Sequence, residues 1–249
     1  MTIEPDVVAE GRRLLAVAAE SHVPLRLLGG VAIKLRAPGE LPPAFRRTYG
    51  DLDFATTKKA AGRATGLFRA EGYVPHTAFN ALHGGDRLLF FDDDNGRQVD
   101  IFVGAFSMCH KIPLDARIAV DPTSIPLAEL LLTKLQVVEL NEKDVLDALA
   151  LLHDHPVEES DGDALNAARV AELCAADWGL WRTITGNLDA CCALAPGYDV
   201  PNRAEVEARL EQLLNRIEAE PKSRAWRLRS KIGDRKRWYE LPEEVAGGP

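Results

Sequence analysis

Two aspartates separated by a single residue are the feature of this sequence most suited to chemistry. Asp51 and Asp53 belong to the segment 51–55, whose alternation of polar and apolar residues predicts a β-strand. Because side chains alternate across a strand, both carboxylates leave on one face. Two negative charges at such a short distance repel each other, and a divalent cation relieves the repulsion. The pair is either half of a magnesium site or an exposed strand face that carries two acids.

A third acid, Asp100, stands in the apolar run 98–103. An acid among apolar strand residues is costly unless it is solvated or paired. Asp100 therefore either faces water on an alternating strand or joins the face of Asp51 and Asp53 from a neighbouring strand. Hard cations such as Mg²⁺ take oxygen ligands, commonly one or two carboxylates together with substrate phosphates. The second arrangement would provide that kind of ligand set.

A pair of glycines offers a place for phosphate. Gly29 and Gly30 follow the apolar run 23–28, a predicted strand, and precede a short predicted helix over 31–35. Glycine lets the backbone approach a phosphate closely, and the N-terminus of a helix favours negative charge. The pair also fits an ordinary tight turn. Arg46 and Arg47, just before the aspartates, fit either contact with a triphosphate or a simple loop.

The elements that must position these groups alternate between helix and strand through the first half of the chain. Asp94-Asn95-Gly96 predicts the turn of a hairpin between strands 88–91 and 98–103. Proline and glycine mark a loop over 37–50, and Thr56 or Thr57 is the expected N-cap of the helix that ends at Gly72. Further helices are predicted over 6–21, 126–140 and 141–152.

The composition changes after His153. An acidic, polar stretch over 155–162 is a candidate linker, and the ranges 164–192 and 203–218 are predicted to be helical. We therefore predict an α+β fold, with a mixed sheet flanked by helices in a first domain (1–153). An all-helical C-terminal domain (163–240) and a flexible tail (241–249) are expected to follow.

Bulk composition excludes several classes of protein. With 46% hydrophobic and 27% charged residues the chain is globular, and its net charge of -8 excludes a basic footprint over the whole surface. Residues 1–15 lack a basic region followed by an apolar core, so we expect no secretory signal, and no apolar run approaches the length of a membrane span. No C-x-x-C pair occurs among the four cysteines. We expect a cytoplasmic protein with no membrane partner.

One basic segment stands out against the acidic chain. The range 222–239 interleaves cations with Trp226, Trp238 and Tyr239, a combination that suits RNA phosphates and unpaired bases. The alternative is a solvated face or pairing with the acidic body. The candidate RNA-binding residues are Arg224, Arg227, Arg229, Lys231, Arg235, Lys236 and Arg237.

In its order of motifs the sequence resembles the nucleotidyltransferase (polymerase-beta-like) superfamily, and most closely its AbiEii/MenT-type toxin nucleotidyltransferases. The resemblance spans roughly residues 25 to 150. It departs from compact members of the family in the long, proline-rich segment between the glycines and the first aspartate. The matching pieces are Leu28-Gly29-Gly30-Val31-Ala32, Asp51-Leu52-Asp53-Phe54, Val99-Asp100-Ile101, Lys134, and Lys143-Asp144-Val145-Leu146-Asp147.

The resemblance implies a nucleotidyltransferase fold and transfer of a nucleoside monophosphate from an NTP, with release of pyrophosphate. It implies that Asp51 and Asp53 hold Mg²⁺ or Mn²⁺, and that Asp100 ligates a second metal ion and helps to deprotonate the acceptor hydroxyl. Gly29 and Gly30 would contact the β- and γ-phosphates.

Two helical positions complete the implied site. Lys134 would place a positive charge on the triphosphate, or it is an ordinary solvated lysine. Asp144 is the preferred candidate for orienting Lys134 or the acceptor, and Asp147 is its rival. Both acids also fit local salt bridging along a helix.

The expected acceptor is an RNA end, such as that of tRNA. As in toxin–antitoxin or abortive-infection systems, a cognate antitoxin protein is a further expected partner. Two alternatives stay open: nucleotidylation of a small molecule or a protein hydroxyl, and a non-catalytic nucleotide-binding or interaction protein on the same scaffold. The presence of all three acids argues against the last alternative.

Overall fold

The computed structural model describes residues 3–241. These residues form two compact units, the first comprising 3–106 and 112–130 and the second comprising 107–111 and 131–241. The units divide within a helix, between Leu130 and Leu131, and not at the predicted linker, which lies inside the second unit. Of the predicted flexible tail, residues 242–249 lie outside the described part of the chain.

The first unit contains a mixed sheet, as the sequence predicted, and the sheet has five strands where the sequence patterns indicated four. Its strand order is β1-β2-β5-β4-β3. The central pair, β2 and β5, is parallel, and every other pair in this sheet is antiparallel. The strands are β1 (Leu25–Leu28), β2 (Leu52–Thr56), β3 (Val74–Pro75), β4 (Arg87–Asp92) and β5 (Arg97–Val103).

Four helices precede or separate these strands; the sequence patterns predicted the first three, and the fourth was not predicted. They are α1 (Val7–Glu20), α2 (Gly29–Arg36), α3 (Ala61–Ala70) and α4 (Thr77–His83). Short 3-10 turns occur at Pro43–Phe45 and Lys58–Ala60, and the strands β6 (Ala105–Ser107) and β7 (Lys111–Pro113) pair in a small second sheet. Neither predicted threonine caps α3: Thr56 ends β2 and its hydroxyl donates to the Pro24 carbonyl oxygen (2.7 Å), and Thr57 is the N-cap residue of the 3-10 turn Lys58–Ala60 without a side-chain capping bond.

One face of the main sheet forms the apolar core of the first unit. Phe54 of β2 and Phe90 of β4 pack against Phe68 of α3, with ring centroids 5.7 Å and 5.3 Å apart. All three rings are fully buried, so burial of aromatic surface ties α3 to the sheet. Because side chains alternate, the intervening residues of β2 and β5 project on the opposite face.

The second unit is mostly helical. Helix α5 (Leu127–Leu135) leads into it, and it ends five residues before the predicted terminus at residue 140. The other helices are α6 (Glu142–Asp154), α7 (Ala167–Ala176), α8 (Trp178–Leu194), α9 (Arg203–Ala219) and α10 (Arg224–Ser230). No helix of residues 3–241 is long and apolar enough to cross a membrane.

The predicted linker contains regular secondary structure that its acidic, polar composition did not indicate. It contains β8 (Val157–Glu158), which pairs in parallel with β9 (Leu165–Asn166). Its acidic Glu159 forms an ion pair with Arg216 of α9 (3.0 Å). Arg209 of α9 also donates to the carbonyl oxygens of Leu152 and His153, at 2.8 Å each, and so closes the end of α6. These contacts join the predicted linker and the end of α6 to α9.

Candidate active site

Asp53 and Asp100 stand side by side in the centre of the main sheet. They are register partners across the parallel strands β2 and β5, and paired residues of neighbouring strands project on the same face. This face lies opposite the aromatic core. Asp53 is half-buried and Asp100 is 4% exposed. Asp51 is exposed and lies one residue before β2 begins. Asp100 therefore shares the face of Asp53 and does not stand alone on a solvated strand.

Gly29 brings the start of α2 against the carboxylate of Asp53. Gly29 has φ +70°, a conformation that favours glycine. A Cβ atom built on Gly29 would lie 3.1 Å from Asp53 Cγ and closer still to Oδ2. Leu28, the N-cap residue of α2, makes no side-chain capping bond to the helix. The carboxylate thus lies at the positive end of the helix dipole.

Gly30 provides room for a second side chain. A Cβ atom there would lie 2.8 Å from Arg47 Cζ and from Tyr49 Cδ1. The Arg47 guanidinium carbon lies 4.6 Å from the centroid of the Tyr49 ring, within range of a cation–π interaction. Arg46 instead donates to the Leu41 carbonyl oxygen (2.7 Å). The structure therefore separates two arginines that the sequence left equivalent, and only Arg47 meets the glycine turn.

The proline-rich segment between the glycines and the aspartates is held in place by apolar anchors. Leu41 and Phe45 are each 2% exposed, and Pro43–Phe45 forms a 3-10 turn. The segment departs from compact members of the resembled family, but its anchored end delivers Arg47 and Tyr49 to Gly30. Its length therefore does not separate the glycine turn from the acids.

Asp100 is held by two side chains that the sequence analysis did not single out. Arg87 Nε donates to Asp100 Oδ1 (2.7 Å), and Gln98 Nε2 donates to Oδ2 (2.7 Å). In the β4–β5 ladder Leu89 is the register partner of Asp100. Arg87 is consequently its diagonal neighbour on the same face. The predicted hairpin could have identified Arg87 as a neighbour of Asp100, because the turn fixes which residues of the two strands lie opposite each other.

Among residues 3–241, no group of three or more His, Cys, Asp or Glu side chains is arranged to hold a metal ion. The chemistry of the donors nevertheless suits a hard cation. Each carboxylate oxygen of Asp100 accepts one hydrogen bond and keeps further lone-pair capacity. Mg²⁺ is commonly bound by one or two carboxylates with substrate phosphates supplying other ligands. Asp53 and Asp100 fit that pattern.

Lys134, Asp144 and Asp147 form an ion-pair cluster in the second unit. Lys134 Nζ lies 2.8 Å from Asp147 Oδ2 and 3.5 Å from Asp144 Oδ1. The Lys134 side chain is 14% exposed, so it is not a freely solvated lysine. Asp144 also accepts a hydrogen bond from Asn141 Nδ2 (2.7 Å). Of the two rival acids, Asp147 is the nearer partner of Lys134.

The basic segment divides into exposed and structural cations. Arg229 is half-buried: it donates to the carbonyl oxygens of Gly233 (2.8 Å) and Lys236 (2.7 Å) and lies 4.5 Å from the centroid of the Trp178 ring. These contacts hold the backbone of the segment itself. The other candidate RNA-binding residues are exposed, namely Arg224, Arg227, Lys231, Arg235, Lys236 and Arg237.

The tryptophans of this segment pack inward. Trp226 lies edge-on against Trp181, with ring centroids 5.1 Å apart. Trp238 packs against Trp178 (6.1 Å) and its indole N–H donates to the Thr183 hydroxyl (3.1 Å). These rings stabilise the second unit and do not provide the open stacking surface that the sequence pattern suggested.

Neither a protein-family model nor a curated protein matches this chain. The candidate site consists of two acids on one sheet face, with Arg47 at the glycine turn and Arg87 bonded to Asp100.

Proposed function

We propose that this chain is a metal-dependent nucleotidyltransferase that transfers a nucleoside monophosphate from an NTP to a hydroxyl group at an RNA end, such as that of tRNA. One observation carries the proposal. Asp53 and Asp100 are register partners on β2 and β5, and Asp53 touches the positive-φ Gly29 that opens α2. Paired carboxylates beside the N-terminus of a helix suit a cation and a phosphate chain together.

In the proposed reaction the acceptor oxygen attacks the α-phosphorus of the NTP. A new P–O ester bond forms, the bond from the α-phosphorus to the oxygen bridging to the β-phosphate breaks, and pyrophosphate leaves. Asp100 takes the proton of the acceptor hydroxyl. Asp53 and Asp100 are the residues that would hold Mg²⁺ or Mn²⁺, with Asp51 as the further ligand that the resemblance implies, and a bound ion would neutralise charge on the attacking and leaving oxygens.

Arg47 and the first turn of α2 are proposed to bind the β- and γ-phosphates. The guanidinium lies against Gly30 at the start of α2, and its Nη1 also donates to the Thr48 carbonyl oxygen (3.4 Å). Arginine matches phosphate oxygens with two parallel hydrogen bonds. Lys134, with Asp147 as its nearer partner, stays the resemblance's prediction for a further charge on the triphosphate.

The proposal is tested by incubating the protein with each α-labelled NTP, Mg²⁺ and total RNA. We expect the label to enter RNA with the wild-type protein and to be lost with Asp53→Asn, which keeps the shape of the side chain and removes its charge. Equal labelling by wild type and Asp53→Asn would refute the metal-binding role of Asp53. Small-molecule and protein fractions of the same reactions reveal the alternative acceptors.

The exposed basic surface distinguishes RNA from those alternatives. Replacing Arg227, Arg235 and Arg237 by glutamine removes three exposed cations and leaves the structural Arg229 intact. If RNA contacts this surface, the triple variant raises the KM for RNA and flattens the dependence of KM on salt concentration. If the acceptor is a small molecule or a protein hydroxyl, the KM for that acceptor stays unchanged.

A non-catalytic nucleotide-binding protein is the second candidate, because Arg87 and Gln98 already bond to both oxygens of Asp100. Under that candidate an NTP with Mg²⁺ raises the melting temperature, since a ligand of the native state stabilises it, but no label is transferred. From the resemblance we further infer a cytoplasmic toxin with a cognate antitoxin. Growth arrest on expression in cells, relieved by Asp53→Asn, tests that inference.

A further inference from the structure

A second cluster of side chains lies on the β4 side of Asp100. Arg87 bonds Asp100, and its guanidinium carbon lies 5.8 Å from the Phe79 ring centroid and 5.3 Å from that of Phe102. On α4, the rings of Phe79 and His83 lie 4.7 Å apart, tilted by 33°. Phe79 and His83 are both half-buried. The cluster therefore joins a partly open aromatic surface to the buried acid through one arginine.

The strand order sets this cluster apart from the glycine turn. In the order β1-β2-β5-β4-β3, Asp100 on β5 has Asp53 and Gly29 on its β2 and β1 side, and Arg87 on its β4 side. The two clusters therefore flank Asp100 from opposite directions along the sheet. A reaction that joins two substrates at Asp100 needs two such approaches, one for the donor and one for the acceptor.

Most N–H donors of Arg87 are not used in its hydrogen bond to Asp100. Its side chain is 18% exposed, and only Nε bonds Asp100. Within residues 3–241, Nη1 and Nη2 make no hydrogen bond to the protein. A guanidinium carries five N–H groups, so four remain for an incoming oxyanion. Bidentate contact with a phosphate uses such a pair of amino groups.

We propose that Phe79, His83 and Arg87 form the acceptor subsite, and that it takes the end of a single-stranded nucleic acid. The terminal base stacks on Phe79 and His83, the phosphate that joins the last nucleotide to the chain binds the Nη groups of Arg87, and the terminal hydroxyl meets Asp100. The proposal rests on the proposed function. A base and a phosphate within one nucleotide match a ring pair and a guanidinium, whereas a protein hydroxyl supplies neither group.

The first experiment measures the stacking. Phe79→Ala is compared with Leu82→Ala, a control on the same helix whose side chain is 79% exposed. Binding of a short single-stranded RNA, labelled at the end opposite the reactive hydroxyl, is followed by fluorescence anisotropy without NTP. We expect Phe79→Ala to weaken binding by roughly tenfold or more, the effect of losing one base–aromatic stack. Leu82→Ala should bind as wild type does.

A matched RNA whose terminal nucleotide lacks its base completes a double-mutant cycle. With this abasic RNA we expect Phe79→Ala and wild type to bind equally. An equal loss on both RNAs would overturn the stacking role, because Phe79 would then act only through the fold. Melting temperatures of the variants are measured in parallel to correct for any change in the folded fraction.

The second experiment measures the phosphate contact. Arg87→Lys keeps the positive charge but loses the bidentate fork, and Arg63→Gln on the exposed side of α3 is the control. Replacing the last phosphate of the RNA by an uncharged methylphosphonate should raise the acceptor KM for wild type by roughly tenfold, the worth of one charge-assisted bond, and much less for Arg87→Lys. An equal penalty for both proteins would overturn the Arg87 contact.

The two proposals fail separately. If label enters RNA but Phe79→Ala leaves the acceptor KM unchanged and raises the KM for NTP, the acceptor subsite is refuted and the transferase stands. If no acceptor takes the label, yet RNA binding depends on Phe79 and on the terminal base, the proposed transfer is refuted and the subsite stands.

Discussion

Gly29→Ala is the substitution that tests the geometry of the proposed site most directly. Gly29 has φ +70°, and an alanine there costs about 1–2 kcal/mol in backbone strain. The new Cβ atom also lies inside 3.0 Å of Asp53 Oδ2, whereas ordinary contacts begin at 3.4 Å. The Asp53 carboxylate must therefore retreat, and displacement of a reacting group by about 1 Å lowers the rate roughly a hundredfold.

Gly96→Ala is the matched control. Gly96 also has a positive φ, +62°, but a Cβ atom there meets nothing within 4 Å. Both variants should lose roughly 2–8 °C in melting temperature, from the same strain spread over a chain of this size. Only Gly29→Ala should lose transfer of label from the α-labelled NTP. The two glycines separate backbone strain from displacement of the carboxylate.

The refuting result is equally definite. If Gly29→Ala and Gly96→Ala retain the same activity per folded molecule, Asp53 does not need its observed position beside α2. The proposed role of Asp53 would then fail, although the fold would be unaffected. Circular dichroism melting and the labelled-NTP assay on the same protein samples provide both measurements.

Three further predictions follow from other contacts. Arg47→Gln should raise the KM for NTP by roughly tenfold, because it removes one charge-assisted contact. Arg46→Gln should leave the KM for NTP unchanged. Steady-state kinetics measures both values. Asp147→Asn should lower the melting temperature more than Asp144→Asn does, because Asp147 is the nearer partner of the mostly buried Lys134; an equal loss contradicts this ranking. Burial lowers the pKa of His110 below its ordinary value of 6.5. Near and below that pH the unfolded chain therefore binds more protons than the folded protein does. The free energy of unfolding should consequently fall as the pH drops below 6.5. A His110→Gln variant should flatten that dependence in melts across pH, and an unchanged slope would refute the assignment.

Local patterns predicted the parts of the fold that local interactions determine. The Asp94-Asn95-Gly96 turn predicted the β4–β5 hairpin, and polar–apolar alternation predicted which face of β2 holds Asp53. The parallel pairing of β2 with β5 lies beyond such patterns, because a long stretch of chain separates the two strands. For that reason the sequence could offer the position of Asp100 beside Asp53 only as one of two alternatives.

Helix α5 illustrates how a distant side chain overrides a local pattern. Apolar periodicity predicted a helix to residue 140, but the helix ends at Leu135. Asn187 of α8 donates its side-chain amide to the carbonyl oxygens of Leu135 (2.8 Å) and Val137 (2.6 Å). An amide donor that satisfies the carbonyl of the last helical residue takes the place of a backbone N–H of the next helical turn. No residue near position 135 in the sequence indicates that Asn187 will bond to the end of this helix.

The net charge of the chain bears on how the proposed site binds its anionic substrates. A chain with net charge -8 repels a polyanionic substrate at long range, and at physiological salt such repulsion is screened beyond roughly 8 Å. Binding of an NTP must therefore rely on cations within the site. Arg47 lies at the glycine turn and Arg87 at Asp100, so each flank of the acid pair has its own guanidinium. The proposed donor and acceptor would each neutralise their phosphate at a different arginine, which is why Arg47→Gln should alter the KM for NTP and Arg87→Lys that for the acceptor.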